Sequence, residues 1–375
     1  MKIAIITSPF GELPPDALGA VERLWADIAV VLVELGHSVQ LLGKRGKTIL
    51  SSEGNLCRTY IRGYRRTRSV YLDIFLDFFY SVRALCNVKK CDMLICNTFW
   101  TPILGPLLYK NSFRKLTYNV QRFPKQHFRL YSSVDLFECT SSPVKSALLS
   151  ICSIYKDKTK VTPNPIKVEI YNPERWNRAD TEMMIGYHGR IHKEKGLDLL
   201  AGAVKELAQK FPSIRLRLIG PWEITRGGSG EEYKKKLDEL SGNRIEWVGA
   251  LSDPIKIVDS LKSCRIYCYP SVAEKGETFG VAPLEAMGLG MPTVVSALKC
   301  FADYAEDGKN AIVFNHHSEE CIHELSNKIV QLLNDESLQA RLSKSAAETA
   351  RQYSTIEIAR RYVRDFNLLL SGNAS

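Results

Sequence analysis

Glu277 and Glu285 stand eight positions apart in Glu277-Thr-Phe-Gly-Val-Ala-Pro-Leu-Glu285, astride a Phe-Gly turn and ahead of the small apolar run Ala286 to Pro292. A helix starting near Val281 would leave Glu277 on the preceding loop and set Glu285 about one turn inside. The amides of Phe279 to Ala282 would then face outward as donors without helical partners. One short stretch would thus offer a carboxylate for a sugar, a helix start for a phosphate and a second carboxylate for a ribose. By itself the pair fits two solvated glutamates better, the ordinary fate of that residue.

A second segment changes the balance. Ile185-Gly-Tyr-His-Gly-Arg-Ile-His-Lys-Glu-Lys-Gly196 runs from an apolar strand through Gly189-Arg190 into a turn, and the helical pattern Leu197-Asp-Leu-Leu-Ala-Gly-Ala-Val follows. Arg190 and Lys195 therefore share one strand-to-helix loop. Open α/β sheets bind ligands at the carboxyl ends of their strands, and two cations placed there suit a diphosphate.

With these segments in order, the chain resembles the retaining glycosyltransferases of family 4, also called group 1, over residues from about 160 to 320. The matching elements are Gly189-Arg190 with Lys195-Gly196, Leu216-Arg-Leu-Ile-Gly220, Val248-Gly249, Tyr269-Pro270-Ser271 and the block from Glu277 to Pro292. The resemblance implies an α/β chain of GT-B fold, two Rossmann-like domains facing a central cleft, with a last helix crossing back to the first domain. It implies transfer of a sugar from a nucleotide-diphosphate sugar, UDP- or GDP-linked, to a glycan or lipid-linked acceptor, as in surface polysaccharide assembly. Arg190 and Lys195 would hold the donor diphosphate, Glu285 the ribose and Glu277 the transferred sugar, with Gly189 and the Phe279 and Gly280 amides close by. Gly19 would bring the first strand-to-helix loop to the diphosphate, although Ala20 stands where relatives often have a second glycine. Relatives also often carry a histidine just after the strand at Thr117-Tyr-Asn-Val-Gln-Arg; Asn119 or Gln121 stands there instead, so that role does not carry over. No cofactor is implied. Asp-x-Asp, the metal-diphosphate bridge of the other major transferase fold, is absent from the chain, and metal independence is expected.

These loops need two α/β halves to position them. The 375 residues exceed what one core usually supports, and 45% apolar with 25% charged residues is ordinary for a globular chain. Strands are expected at Lys2 to Ser8, His37 to Leu42, Asp92 to Asn97, Lys115 to Asn119 and Val134 to Cys139, with a helix from Gly19 to Leu35. Prolines 163 and 165 and a polar stretch up to Asp180 mark a linker, and six further strands fall between Met183 and Phe314. The expected domains are 1–168, 169–353 and a terminal helix, 354–375, packed on the first.

Charge is divided unevenly. Residues 1–170 hold 24 Lys and Arg against 13 Asp and Glu, a net of +11, while the rest hold 27 against 28. The excess concentrates at Arg58, Arg62, Arg65, Arg66 and Arg68, interleaved with tyrosines, and suits an anionic membrane surface or an acidic acceptor. The apolar run Val70 to Leu85 follows, readable as a core helix or as a helix dipping one face into a bilayer. No stretch is long enough to span a membrane, and Met1 to Ser8 reads as a first strand rather than a signal peptide, so a cytoplasmic protein, peripheral on the inner membrane face, is expected. The ten cysteines contain no Cys-x-x-Cys and read as buried free thiols. No histidine falls in a metal-ligand pair; His316-His317 is expected in a solvated loop. Two alternatives stay open: a GT-B epimerase or phosphorylase, and a polyanion-binding protein without catalysis. The second leaves the ordered charges of the neutral half unexplained.

Overall fold

A parallel strand covered by helices on both faces reads as a nearly continuous apolar run, because both sets of alternating side chains are buried. Strand β1 (Lys2–Ile6) follows that rule: Ile3 and Ile5 enter one core layer and Ala4 and Ile6 the other. The computed structural model describes residues 1–13, 20–46 and 52–372. The chain divides into two compact units, Met1–Pro165 with Thr355–Ser375, and Ile166–Ser354.

After β1 the first unit runs β2 (Glu12–Leu13), α1 (Ala20–Glu34), β3 (Ser38–Arg45), β4 (Leu56–Ile61), α2 (Val70–Cys86), β5 (Cys91–Cys96), α3 (Thr101–Leu108), β6 (Phe113–Val120), β7 (Leu136–Cys139), α4 (Ser142–Ile151) and β8 (Thr159–Val161). The sheet is parallel, in the order β2-β3-β1-β5-β6-β7-β8, with β4 beside β3. Strand β4 has no counterpart among the expected strands. It lies in the stretch read as a basic cluster, and its four middle residues are half-buried, so no alternation betrays it.

The second unit runs β9 (Glu182–His188), α5 (Leu197–Leu207), β10 (Arg215–Ile219), α6 (Glu231–Ser241), β11 (Ile245–Gly249), α7 (Pro254–Leu261), β12 (Cys264–Tyr269), α8 (Val281–Gly288), β13 (Thr293–Ser296), β14 (Ile312–Phe314), α9 (Cys321–Asn334) and α10 (Glu336–Arg351). Its strands, all parallel, lie in the order β11-β10-β9-β12-β13-β14. The strand order reverses between β9 and β12, which makes the carboxyl ends of these two strands the ligand-binding edge of a doubly wound sheet. Local sequence supports the helices: Asp253 caps α7 with Pro254 as its first residue, and Asp335 caps α10.

The last helix, α11 (Thr355–Leu370), belongs to the first unit, where Ile358, Tyr362 and Phe366 join Trp25 and Ile28 of α1. Asn119 of β6 donates to the Tyr362 hydroxyl at 2.9 Å, and Lys160 pairs with Asp365 at 2.7 Å. Asn119 is therefore a buried fastener of α11, and Gln121 donates to its side-chain oxygen at 2.6 Å.

Helix α2 is two-faced in an unusual sense. Tyr80, Ala84 and Leu85 are buried, but so is Asp77, while Tyr71, Phe75 and Phe79 are 86, 58 and 42% exposed. Asp77 accepts from the Phe99 and Trp100 amides at 2.9 and 3.0 Å and so pins the β5–α3 turn. Of the ten thiols, Cys91, Cys96, Cys139, Cys264, Cys268 and Cys300 are buried as expected, whereas Cys86 is exposed at the end of α2.

Burial pushes the Asp77 carboxyl from an ordinary 3.8 to about 6, against the pull of its two amide donors. Burial also pushes Glu138, which accepts from Thr162, from 4.5 to about 8. Both groups bind their protons more tightly folded than unfolded. The stability they contribute is complete below about pH 4 and is lost as pH rises through 6 for Asp77 and through 8 for Glu138. In each window the loss approaches about 1.4 kcal/mol per pH unit. Urea unfolding of an Asp77→Asn/Glu138→Gln variant at pH 5 and pH 8 should show a smaller drop in unfolding free energy than the parent. An equal drop would contradict the assignment.

Candidate functional site

The loops that leave β9 and β12 are joined backbone to backbone. Gly196 closes the first of them in the left-handed region (φ 63°), and a Cβ there would stand 2.1 Å from the Pro270 carbonyl oxygen, so only glycine lets the loops approach this closely. The Val272 amide donates to the Glu194 carbonyl at 3.0 Å, and the Ser271 hydroxyl to the same oxygen at 3.3 Å.

Across this seam Lys195 Nζ meets Glu277 Oε2 at 2.6 Å, with the two side chains only 7 and 11% exposed. The Tyr269 hydroxyl donates to the same carboxylate oxygen at 3.1 Å, and its ring stacks on Tyr187 with centroids 5.3 Å apart. Burial first, and the Glu277 charge second, hold the Tyr269 phenol well above its ordinary range, so it stays protonated and remains a donor. Arg190 lies on the outer side of the loop, 48% exposed. Its guanidinium donates to Glu194 at 2.7 Å and to the Gly227 carbonyl at 3.1 Å. Gly189 precedes it at φ 144°, beside the Tyr187 hydroxyl.

Helix α8 begins where the sequence placed it. Gly280 enters it at φ 78°, and a Cβ there would collide with the Phe301 ring at 2.3 Å, which again requires glycine. The first amides of α8 have no acceptor within the helix and can meet an anion. The Phe279 ring is 1% exposed among Tyr304 and Tyr353, so that residue can offer a ligand its backbone alone. Glu285, one turn into α8, is hydrogen-bonded to the His188 ring, with Nε2 to Oε2 at 2.8 Å.

Arg190, Lys195, Gly189, Glu277, Phe279, Gly280 and Glu285 are thus all on the β9–β12 edge of the second unit. Gly19 lies outside the described residues. His188 was missed: it ends a buried strand, and its one signal is a polar residue closing an otherwise apolar run. Its Nδ1 is buried without a hydrogen-bond partner among the described residues. Tyr269 stood in the sequence as a strand end and as part of the Tyr269-Pro270-Ser271 match, with no role of its own. His316 and His317, expected to meet solvent, instead both contact Glu274, with His316 Nε2 at 3.1 Å and His317 Nε2 at 3.0 Å from its Oε1. Glu274 is 42 positions from His316, a pairing no local pattern displays.

Chemically, the edge presents a buried ammonium–carboxylate pair, a half-exposed guanidinium, helix-start amides and a second carboxylate held by an imidazole. Such a set can bind a polyanion with hydroxylated groups at either end. Residues 170–349 match the family described as glycosyl transferases group 1. Among curated relatives, D-inositol 3-phosphate glycosyltransferase of Stackebrandtia nassauensis is 25% identical over 241 residues, 59% of this chain and 51% of the relative. Phosphatidyl-myo-inositol mannosyltransferase of Mycolicibacterium smegmatis is 24% identical over 196 residues, 50% of this chain and 47% of the relative. The chain spans about half the length of the curated relatives it matches. Anabaena HepE, solved in complex with UDP, superposes with a TM-score of 0.74 at 17% identity, covering 98% of this chain and 100% of the other. That likeness is one of fold, the GT-B class built of two Rossmann-like domains.

Proposed function

We propose that the chain, whose residues 170–349 match the group 1 glycosyl transferases, moves a sugar from a nucleoside-diphosphate sugar to a hydroxyl acceptor with retention at the anomeric carbon. The observation that carries the reading is the Lys195–Glu277 pair at 2.6 Å, flanked by Arg190 and Glu285 on the switch-point edge of the second unit.

Donor binding follows from the charges. A diphosphate brings two negative charges to Arg190, Lys195 and the helix-start amides, and Lys195 then divides its donors between phosphate and Glu277. Glu277, relieved of part of that contact, accepts from sugar hydroxyls, with Tyr269 fixing its orientation. Glu285 accepts from the ribose hydroxyls while His188 holds its other side. As the bond from the anomeric carbon to the phosphate oxygen breaks, negative charge grows on the diphosphate, where the two cations stabilise it most. The acceptor oxygen bonds to the same face of the anomeric carbon, and its proton passes to the departing phosphate oxygen. No carboxylate is required as a nucleophile. UDP is the favoured nucleotide because a protein of the same fold, HepE, was solved with it.

The acceptor reading rests on the first unit. The exposed aromatic strip of α2 lies beside the exposed Arg62, Arg65, Arg66 and Arg68, which together suit a lipid-linked acceptor at an anionic membrane surface. A relative's printed name, phosphatidyl-myo-inositol mannosyltransferase, points to the same class of acceptor. Among the described residues no helix is long and apolar enough to cross a membrane.

A thermal-shift screen against UDP, GDP, ADP and their sugar conjugates tests the donor half, since a ligand that binds only the folded state raises the melting temperature. UDP or a UDP-sugar should give the largest rise, and Glu285→Ala should weaken that nucleotide about 10–100-fold, the worth of hydrogen bonds to a charged group. No rise with any nucleotide would overturn the reading. Sugar-product formation in the absence of acceptor would favour an epimerase or phosphorylase instead.

A further inference from the structure

We propose that Glu274, His316 and His317 form a binding site for a divalent transition metal of the Zn²⁺ class, placed on the turn that carries Glu277. Two imidazoles and a carboxylate are a donor set suited to such ions, and three protein ligands with open positions for water are a known arrangement.

The geometry is close to assembled. Both Nε2 atoms converge on Glu274 Oε1, at 3.1 and 3.0 Å, and one ligand atom from each residue falls within 4.8 Å of the others. Ligands about 2.0–2.2 Å from a tetrahedral ion stand roughly 3.3–3.5 Å apart. The ion would enter among atoms already near that spacing, with each neutral imidazole carrying its proton on Nδ1 and offering Nε2 to the metal. The His316 side chain is 2% exposed, which fixes one ligand, while His317 and Glu274 are 65 and 46% exposed and leave a route from solvent. Asn315 steadies the histidine turn, accepting from the His317 amide at 3.1 Å and donating its own amide to Glu324 at 2.8 Å. His316 Nδ1 is buried with no hydrogen-bond partner among the described residues. A ligating histidine normally donates that second N–H, and the missing support costs about 10–100-fold in affinity, so weaker binding than at a fully supported site of the same ligands is expected.

The position gives the site a consequence. Glu274 and Glu277 belong to one tight turn, in which the Gly276 and Glu277 amides donate to the Ala273 carbonyl at 3.0 and 2.9 Å. A metal on Glu274 ties this turn to the end of β14. Resting on the proposed role of Glu277, metal occupancy should alter donor affinity.

Calorimetric titration of the full chain with Zn²⁺ tests the site without any nucleotide. One site is expected, weakened at least about tenfold by His317→Ala and by Glu274→Gln, since loss of a direct ligand costs no less than loss of an outer-shell partner. Both changes fall on exposed side chains and should leave the melting temperature unchanged. Cys86→Ser, which removes the exposed thiol, should leave the titration as it was. Parent-like binding in His317→Ala and Glu274→Gln, or binding lost in Cys86→Ser, would overturn the proposal. With the site established, Zn²⁺ should change UDP affinity in the parent and not in His317→Ala; unchanged affinity in both would remove the coupling. Zn²⁺ binding in a protein that binds no nucleotide would keep the metal site and sink the glycosyltransfer reading.

Discussion

Lys195→Ala is expected to lower the transfer rate about 10²–10³-fold, the cost of removing one donor aimed at charge that grows in the transition state. The same change should also reduce stability, because it strands the Glu277 carboxylate, only 11% exposed, without its counter-ion. Breaking a fully buried pair costs about 3–5 kcal/mol, and the residual exposure here places the expected loss near the lower end of that range. A single variant therefore cannot separate catalysis from folding, but a double one can. In Lys195→Ala/Glu277→Gln the charge is gone from both partners, and the Tyr269 hydroxyl can still donate to the amide oxygen. Stability should return to near that of the parent, while turnover stays at least as low as in Lys195→Ala. Recovery of turnover together with stability would make Lys195 a structural counter-ion and nothing more. Parent-like turnover in Lys195→Ala would sink its placement on the diphosphate.

What could be read from the sequence divides along physical lines. The loops after β9 and β12 were legible because glycine marks both: Gly196 and Gly280 occupy left-handed conformations with no room for a Cβ, with Lys195 just before the first and Glu277 three positions before the second. The alternation of strands and helices gave two α/β halves, and the GT-B fold came from the resemblance. Contacts across long stretches of chain were not legible. His188 and Glu285 are 97 positions apart and meet only because β9 and β12 are neighbours, and Glu274, after β12, finds His316, after β14, two strands away across β13. Strand β4 was hidden by its composition, since an edge strand with half-buried arginine and tyrosine carries no period of two. Helix α2 was ambiguous for the opposite reason. Its apolar residues surround the axis, so periodicity could not tell that the face holding Asp77 turns inward and Phe75 and Phe79 outward.

That outward face supports the second large expected effect. Tyr71, Phe75 and Phe79 repeat every four residues along one side of α2, and the Phe75 and Phe79 rings meet edge to face at 5.1 Å. An apolar strip of this size costs hydration free energy wherever water covers it, and a bilayer interface relieves that cost. The neighbouring arginines select which interface, because each cation near an anionic surface adds about 1 kcal/mol, screened by salt. The protein should therefore co-sediment with vesicles containing phosphatidylglycerol far more than with phosphatidylcholine alone, and less as salt rises. Arg65→Ser/Arg66→Ser/Arg68→Ser should weaken anionic-vesicle binding about 100-fold, the sum of three such contributions. Phe75→Ser/Phe79→Ser should weaken binding to both vesicle types, and both variants should keep the parent melting temperature because the altered side chains are exposed. Equal binding of parent and variants would remove the membrane from the reading. A parent that ignores vesicles but sediments as a dimer, broken by Phe75→Ser/Phe79→Ser, would assign the same strip to a second copy of the chain and leave a soluble acceptor as the expectation.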